Sequence, residues 1–118
     1  MGALGHSGEV KELVAMVVGA LDESLRRAPW KGSTSPVAGH CYVACEALHH
    51  LTQKRLKPCF VRHEGAPHWF LRDDAGNVVD PTAAQFSTVP DYSKGVRKGF
   101  LTVEPSKRSQ VVIGRVAA

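Results

Sequence analysis

Apolar positions recur three or four residues apart near the start of the chain. After a loose, Gly-rich lead at residues 1–8, the segment from Glu9 to about Arg27 carries one apolar stripe, formed by Val10, Leu13, Val14, Val17, Leu21 and Leu25. Three further apolar residues widen the stripe: Met16, Val18 and Ala20. This spacing is typical of an amphipathic helix. The width of the stripe predicts that the helix is well buried.

A second helix is predicted from about Cys41 to Gln53. Its apolar face consists of Cys41, Ala44, Cys45, Leu48 and Leu51. The segment between the two helices, residues 28–40, is rich in Pro, Gly and Ser and has no periodicity, which indicates a loop. So long a loop is unusual in a small domain, and such loops often carry function.

The second half of the chain contains segments with strand character. CFVRHE (59–64), HWFLRD (68–73), VVD (78–80) and GFLTVE (99–104) are the candidates. Ser106 is a suitable N-cap for a closing helix, although the VVI run that follows is also compatible with a strand. Helices that precede strands in this way predict an α+β fold, with helices on one side of an antiparallel sheet.

Composition narrows the class of protein. With 118 residues, the chain is expected to form a single domain over residues 1–118, and 43% hydrophobic content excludes a disordered chain. The charge of +4 comes from scattered Lys and Arg without interleaved aromatic residues, which disfavours nucleic-acid binding. No segment approaches the ~20 apolar residues of a membrane span. Three cysteines, an odd number, fit a reducing cytoplasm better than a disulfide framework.

The segment HWFLRDDAGNVVDPT, residues 68–82, predicts a hairpin. If its loop is residues 74–76 with Gly76 in the left-handed conformation, Asp73 pairs with Asn77. Residues 68, 70, 80 and 82 then share one face of the sheet, and Asp80 lies diagonal to His68. A loop of two or four residues would shift the register by one and move Asp80 to the opposite face.

A carboxylate beside an imidazole fixes its tautomer and stabilises the imidazolium form. Cys41 is the natural partner for the other ring nitrogen, because it follows Ala38-Gly39-His40 and opens the second helix. The positive end of a helix dipole and a neighbouring imidazolium both favour a thiolate. The same backbone N–H groups are suited to receive an oxyanion.

The combination of GHC at a helix start, HW opening a strand and VVDPT closing the next resembles the transglutaminase-like branch of the papain-like cysteine enzymes. DPTAAQF (80–86) also looks like the D-x-T-x-x-Q-F ending of small bacterial and phage proteins with this triad order. The similarity covers roughly residues 38–86. It implies a papain/transglutaminase-like core with Cys41 as nucleophile, His68 as base and Asp80 as the residue that orients the imidazole.

Further site residues are expected around this triad. Papain-type enzymes place a Gln several residues before the nucleophile as an oxyanion donor, and no Gln stands there. The candidates for oxyanion binding and support of the triad are the Cys41 backbone, His40, Ser35, Thr82 and Gln85. The candidates for the wall of the substrate cleft are Trp30, Tyr42 and His63, although Trp30 is also an oxyanion candidate and His63 also fits an ordinary surface histidine.

Each feature also has a plain structural interpretation. Cys41 lies on the apolar stripe of its helix and fits a core cysteine, as Cys45 and Cys59 do. Asp80 before Pro81 fits a turn. Cys45 and His49 lie four apart on a helix, but without a CxxC pair or an HExxH motif we expect no metal and no cofactor.

The sequence therefore predicts cysteine-dependent acyl transfer through a Cys41 thioester. Hydrolysis of a peptide, isopeptide or side-chain amide in a protein or peptide-like substrate is the simplest form, and amide cross-linking by the same intermediate is the variant. The alternative is a catalytically silent binding or inhibitor protein that retains the fold. No partner in a membrane is expected, and the sequence does not indicate an oligomeric state.

Overall fold

The computed structural model describes residues 8–22, 40–83 and 88–117. The elements run in the order α1 (Gly8–Ala20), α2 (Cys41–Leu51), β1 (Lys57–His63), β2 (Ala66–Arg72), β3 (Val78–Val79), a 3-10 helix (Tyr92–Lys94), β4 (Val96–Arg97) and α3 (Lys107–Ala117). The strands form one antiparallel sheet in the order β3-β2-β1-β4. The predicted α+β class is confirmed. Within the described ranges no helix is long and apolar enough to cross a membrane.

The three helices share one core with the sheet. Its fully buried members include Val17 of α1, Leu48 of α2, Leu71 of β2 and Val112 of α3. A second buried cluster on the sheet contains Cys59, Val61 and Phe70. Because side chains alternate along a strand, Phe70 and Leu71 point to opposite faces, and each face of the sheet has its own apolar cluster.

The first helix ends earlier than its apolar pattern predicts. It ends at Ala20, and the part of the predicted helix beyond Asp22 lies outside the described residues. Arg115 of α3 donates to the Ala20 carbonyl at 2.7 Å and forms an ion pair with Asp22 at 2.9 Å. These contacts give the helix end a tertiary cap. Met16, predicted to widen the buried stripe, is instead 48% exposed.

A buried carboxylate joins α2 to α3. Glu46 is fully buried, and its Oε1 accepts from the Ser106 N–H at 3.1 Å, the Ser106 hydroxyl at 2.7 Å and the Ser109 hydroxyl at 2.6 Å. The Ser106 hydroxyl in turn accepts from the Ser109 N–H at 3.3 Å. Ser106 is therefore the N-cap of a closing helix, as predicted. The strand alternative for the VVI run is wrong.

The predicted strand over GFLTVE is also wrong. Residues 99–104 are irregular, and the edge of β1 is paired instead by Val96 and Arg97 of β4. The Lys98 N–H donates to the Pro58 carbonyl at 3.2 Å, just after the last paired residue. Phe100 leaves the sheet plane and stacks on Trp69.

The β2–β3 hairpin has the predicted register. The Asp73 N–H donates to the Asn77 carbonyl, and Leu71 pairs with Val79. Gly76 has φ +86°, the left-handed conformation that the three-residue loop requires. The Asp73 carboxylate accepts from the backbone N–H groups of Ala75 and Asn77 at 3.0 and 2.9 Å, which stabilises the turn.

Replacing Gly76 by Ala is expected to lower the free energy of unfolding by about 1–2 kcal/mol, because a side chain disfavours a positive φ. A Cβ there meets nothing within 4 Å, so the effect is one of backbone strain alone. Gly99→Ala is the matched control: it also has open space, its φ is not in this range, and it should change stability by less than about 0.5 kcal/mol. Denaturant unfolding measures both, and equal effects of the two substitutions would contradict this account of the turn.

Candidate active site

The hairpin places His68 and Asp80 in direct contact. His68 lies on β2 and Asp80 directly follows β3, on the same face of the sheet because of the register. The His68 Nε2–H donates to Asp80 Oδ2 at 2.7 Å, and both side chains are almost completely shielded from solvent. A carboxylate only accepts, so this contact fixes the proton on Nε2. Nδ1 is the ring nitrogen that does not bond Asp80, and a third group lies beside the same ring.

Cys41 is that third group. Its side chain lies close enough to the His68 ring to help raise the pKa of that ring. Cys41 is the first residue of α2, and His40 before it is the N-cap, whose carbonyl accepts from the Ala44 N–H at 2.8 Å. The first turn of a helix directs backbone N–H groups toward its N-terminus. The imidazole thus bonds the carboxylate of Asp80 and has the side chain of Cys41 beside it, at the tip of α2.

The surroundings of His68 favour its charged form. Burial alone lowers the pKa of this histidine, but the hydrogen bond to Asp80, the interaction with Cys41 and the charges of both groups outweigh burial and raise the pKa to about 9. The ring is therefore an imidazolium at neutral pH. An imidazolium beside a sulfur is an arrangement that cysteine nucleophiles use.

Besides His68, Tyr92 and Thr82 also donate hydrogen bonds to Asp80. The Tyr92 hydroxyl donates to the same Oδ2 atom at 2.7 Å, and the Thr82 N–H donates to Oδ1 at 3.2 Å. Burial first, and the hydrogen bond to Asp80 second, raise the pKa of the Tyr92 phenol, so that it remains a neutral donor. Arg72 donates to the Tyr92 carbonyl and anchors the 3-10 helix to the sheet. Tyr92 was not predicted from the sequence, because no motif marks it.

The three cysteines differ in exposure. Cys41 is partly exposed, whereas Cys45 and Cys59 are buried. Burial raises the pKa of the Cys45 thiol well above its usual value, and the nearby negative groups, chiefly Asp80, raise it further. Burial also raises the pKa of Cys59, with the charge of Arg72 as a smaller opposing effect. The prediction that Cys45 and Cys59 are core residues is confirmed, and Cys41 is the one partly exposed cysteine.

The other predicted site residues are distributed as follows. Ser35, Trp30 and Gln85 lie outside the described residues. Thr82 is buried and contacts Asp80 through its backbone N–H. The His40 ring is buried at the helix start but does not cap the helix with its side chain.

The two remaining residues predicted for the cleft wall lie on different elements. Tyr42 packs edge-on against Trp69 and Phe100, at ring-centroid distances of 5.1 and 5.3 Å. His63, at the end of β1, places its Nε2 3.1 Å from the Thr88 carbonyl oxygen. Their roles in substrate binding stay predictions.

No group of three or more metal-binding side chains comes together within the described parts of the chain. His49, which the helical spacing with Cys45 singles out, donates from Nδ1 to the Leu56 carbonyl at 2.7 Å. Its Nδ1 thus closes the turn between α2 and β1.

Comparison with known proteins gives no match: no family model, no curated protein and no solved structure is similar to this chain at a significant level.

Proposed function

We propose that the protein is a cysteine-dependent acyl-transfer enzyme that hydrolyses a peptide, isopeptide or side-chain amide. The observation that carries the proposal is the cluster of Cys41, His68 and Asp80, in which His68 bonds Asp80 and lies beside Cys41, the one partly exposed cysteine of the three. A papain/transglutaminase-like core is part of this proposal. The order of the three residues along the chain, their positions at a helix tip, on β2 and directly after the adjacent β3, and the shared face of the hairpin support it.

The reaction follows from the roles of the three groups. The Cys41 thiolate attacks the amide carbonyl carbon, so that a C–S bond forms. The C–N bond then breaks, and the His68 imidazolium gives its proton to the departing amine. In the second half, His68 takes a proton from water as the water oxygen bonds the carbonyl carbon, the C–S bond breaks, and the carboxylic acid leaves while the Cys41 thiolate and the His68 imidazolium are regenerated. Asp80 holds the imidazole in the required tautomer throughout, with its own position fixed by Tyr92 and Thr82.

The oxyanion of the tetrahedral intermediate requires donors next to the sulfur. The backbone N–H of Cys41, at the N-terminus of α2, is the first such donor in our proposal. His40 supports the helix start from its buried position. Amine transfer would use the same thioester, with an amine in place of water. Since a catalytic thiol has to stay reduced, we further propose that the protein works in a reducing compartment such as the cytoplasm.

One observation favours the competing function of a silent binding protein. The His68 ring is completely buried, and a general acid has to reach the leaving group. In that case the cluster would only stabilise the fold, and Cys41 would not turn over acyl groups.

An activated ester distinguishes the two functions. With p-nitrophenyl acetate, the enzyme proposal predicts release of nitrophenolate and one acetyl group on the peptide that contains Cys41, detected by mass spectrometry. The acetyl group should then leave in the wild type and persist at least about 100-fold longer in His68→Gln, because a general base typically contributes 10²–10⁴-fold. Cys41→Ser should abolish the reaction, and Cys59→Ser, which removes a buried thiol, should leave it unchanged. Acetylation equally distributed over surface lysines, with Cys41 unmodified, would support the silent protein instead.

A further inference from the structure

A pocket of about 480 Å³ lies beside β4, lined by the end of α2, the start of β1 and residues 97–103. Four of its lining side chains are cationic: Lys54, Lys57, Arg97 and Lys98. None of the described residues that line it is acidic. The volume lies in the range of small-molecule and peptide side-chain sites. The pocket therefore has a positively charged lining that would attract an anionic ligand.

The positive charges in this basic pocket are not neutralised by the described part of the protein. The ion pairs among the described residues join other side chains. None of the four cationic side chains of the pocket takes part in one. The Lys57 ammonium donates to the Lys54 carbonyl at 2.5 Å, and the Lys98 ammonium sits 4.9 Å from the centre of the Phe60 ring. Both contacts position a charge without cancelling it. An arriving carboxylate would relieve the repulsion among these groups.

The nearby positive charges also act on the ring of His49, which lines the pocket. Burial lowers the pKa of His49, and the charges of His50, Lys57 and Lys54 lower it further, against the opposing hydrogen bond to Leu56. His49 is therefore a neutral wall of the pocket at physiological pH.

One rim of the pocket is apolar. Leu101 is 83% exposed and Val103 is 75% exposed, two positions apart on the same irregular segment. Exposed apolar side chains next to a cationic pocket match a ligand that has both a negative charge and an apolar group. From this juxtaposition we infer that the pocket binds an acidic peptide segment that carries an apolar side chain.

Single-stranded nucleic acid is the less suitable ligand, because the aromatic rings here are already covered. Phe100 stacks on Trp69 at 5.3 Å with an angle of 24° between the ring planes, and the rings of Tyr42 and His49 pack against it. Phe60 lies between Trp69 and the Lys98 ammonium. Binding of single strands depends on aromatic faces that are open to bases. The described lining offers charge and an apolar rim instead.

The basic pocket is connected to the candidate active site by one hydrogen bond. The Leu101 N–H donates to the Tyr42 hydroxyl at 2.9 Å, and Tyr42 follows Cys41 in the chain. Binding in the pocket needs neither the thiol nor the imidazole, so this inference goes beyond the proposed function. It is accordingly tested in a chain that lacks the nucleophile.

The experiment measures fluorescence anisotropy of a short labelled peptide of alternating Glu and Leu with full-length Cys41→Ser protein. Two charge-matched double variants are compared. Lys54→Gln with Lys98→Gln removes two pocket charges, and Lys11→Gln with Lys107→Gln removes two exposed charges outside the pocket. We expect the pocket variant to weaken binding about five- to tenfold, as for two partly screened charge contacts, and the control variant to weaken it less than about twofold. The same peptide with Gln in place of Glu, and the peptide with Ser in place of Leu, should each bind more weakly.

Every outcome of this comparison is informative. Loss of affinity confined to the pocket variant supports the inference, whether or not the wild type hydrolyses any substrate. Equal loss in both variants would mean non-specific attraction to a basic protein and overturn it. Tighter, pocket-dependent binding of a short oligothymidylate, or retention of affinity when Leu is replaced by Ser, would overturn it in favour of a nucleic acid or a simple anion. Absence of peptide binding at low salt would also overturn it.

Discussion

Alkylation of Cys41 by iodoacetamide is expected to remain fast at pH 6 and to fall on the order of 10²-fold in His68→Gln. An unperturbed cysteine is ionised only to about 0.3% at pH 6, because its pKa is about 8.5. In this protein the imidazole beside Cys41 has a pKa of about 9, so it is charged throughout the acid and neutral range. A charged donor at the sulfur favours the thiolate. In His68→Gln this charged donor is absent, and only the N-terminus of α2 remains to favour the thiolate.

The control for this experiment is His50→Gln, which removes a partly exposed histidine of the same helix. The alkylation rate of this variant should stay within about twofold of the wild-type rate, because His50 is not part of the cluster of Cys41, His68 and Asp80. Peptide mapping after short labelling should find the label on Cys41 and not on Cys45 or Cys59, whose thiols are buried. A rate in His68→Gln equal to that of the wild type at pH 6 would show that the His68 ring does not activate the Cys41 thiol.

Stability is expected to decrease as the pH rises from about 6.5 to 9. The pKa of His68 is about 9 in the folded protein and 6.5 as a reference for the unfolded chain. A raised pKa stabilises the folded state fully below the unfolded value, and the stabilisation is lost as the pH rises through the folded value. The difference corresponds to at most about 3 kcal/mol, since one pKa unit is worth 1.36 kcal/mol. Urea unfolding at a series of pH values measures it.

Two variants identify the source of this pH dependence. Asp80→Asn removes the negative charge that His68 bonds, so its stability should vary less with pH over this window. Tyr92→Phe removes one hydrogen bond of Asp80 and keeps the carboxylate, so most of the pH dependence should remain. If Asp80→Asn and the wild type lose the same free energy of unfolding between pH 6.5 and 9, the His68–Asp80 ion pair does not cause the pH dependence.

The part of the site that follows from local sequence is the hairpin. Its register depends on one turn, and Asp73 and Gly76 specify that turn through their own backbone and side-chain chemistry. Once the turn is fixed, alternation along the strands brings His68 and Asp80 to one face without any long-range information. The helix start at Cys41 is likewise a local feature, because the sequence before it has no helical pattern.

Contacts between residues that lie far apart in the sequence could not be predicted in this way. Tyr92 reaches Asp80 only because the 3-10 helix folds back over Phe70, with ring centroids 4.9 Å apart, and nothing in its own neighbourhood indicates this. Glu46 interrupts the apolar pattern of α2, and its partners Ser106 and Ser109 are about 60 positions away. A buried carboxylate of this kind looks like a surface residue until its donors are known.

Two errors have the same physical origin. GFLTVE has the alternation of a strand, but β1 has one free edge in the sheet order, and Val96 and Arg97 occupy it first. The first helix has apolar residues beyond Ala20, yet Arg115 from α3 binds the Ala20 carbonyl and marks the end. In both cases a partner that is distant in sequence decides where an element lies, and local propensity does not contain that information.

The direct test of the sulfur–imidazole–carboxylate chain is the titration of the His68 ring, followed by nuclear magnetic resonance of labelled histidine side chains. We expect a pKa of about 9 for this ring in the wild type and lower values in both Cys41→Ser and Asp80→Asn, because each substitution replaces an ionisable group beside the ring by a neutral one. A His68 ring that titrates near 6.5 in all three proteins would contradict the account, since the three groups would then not be acting on one another.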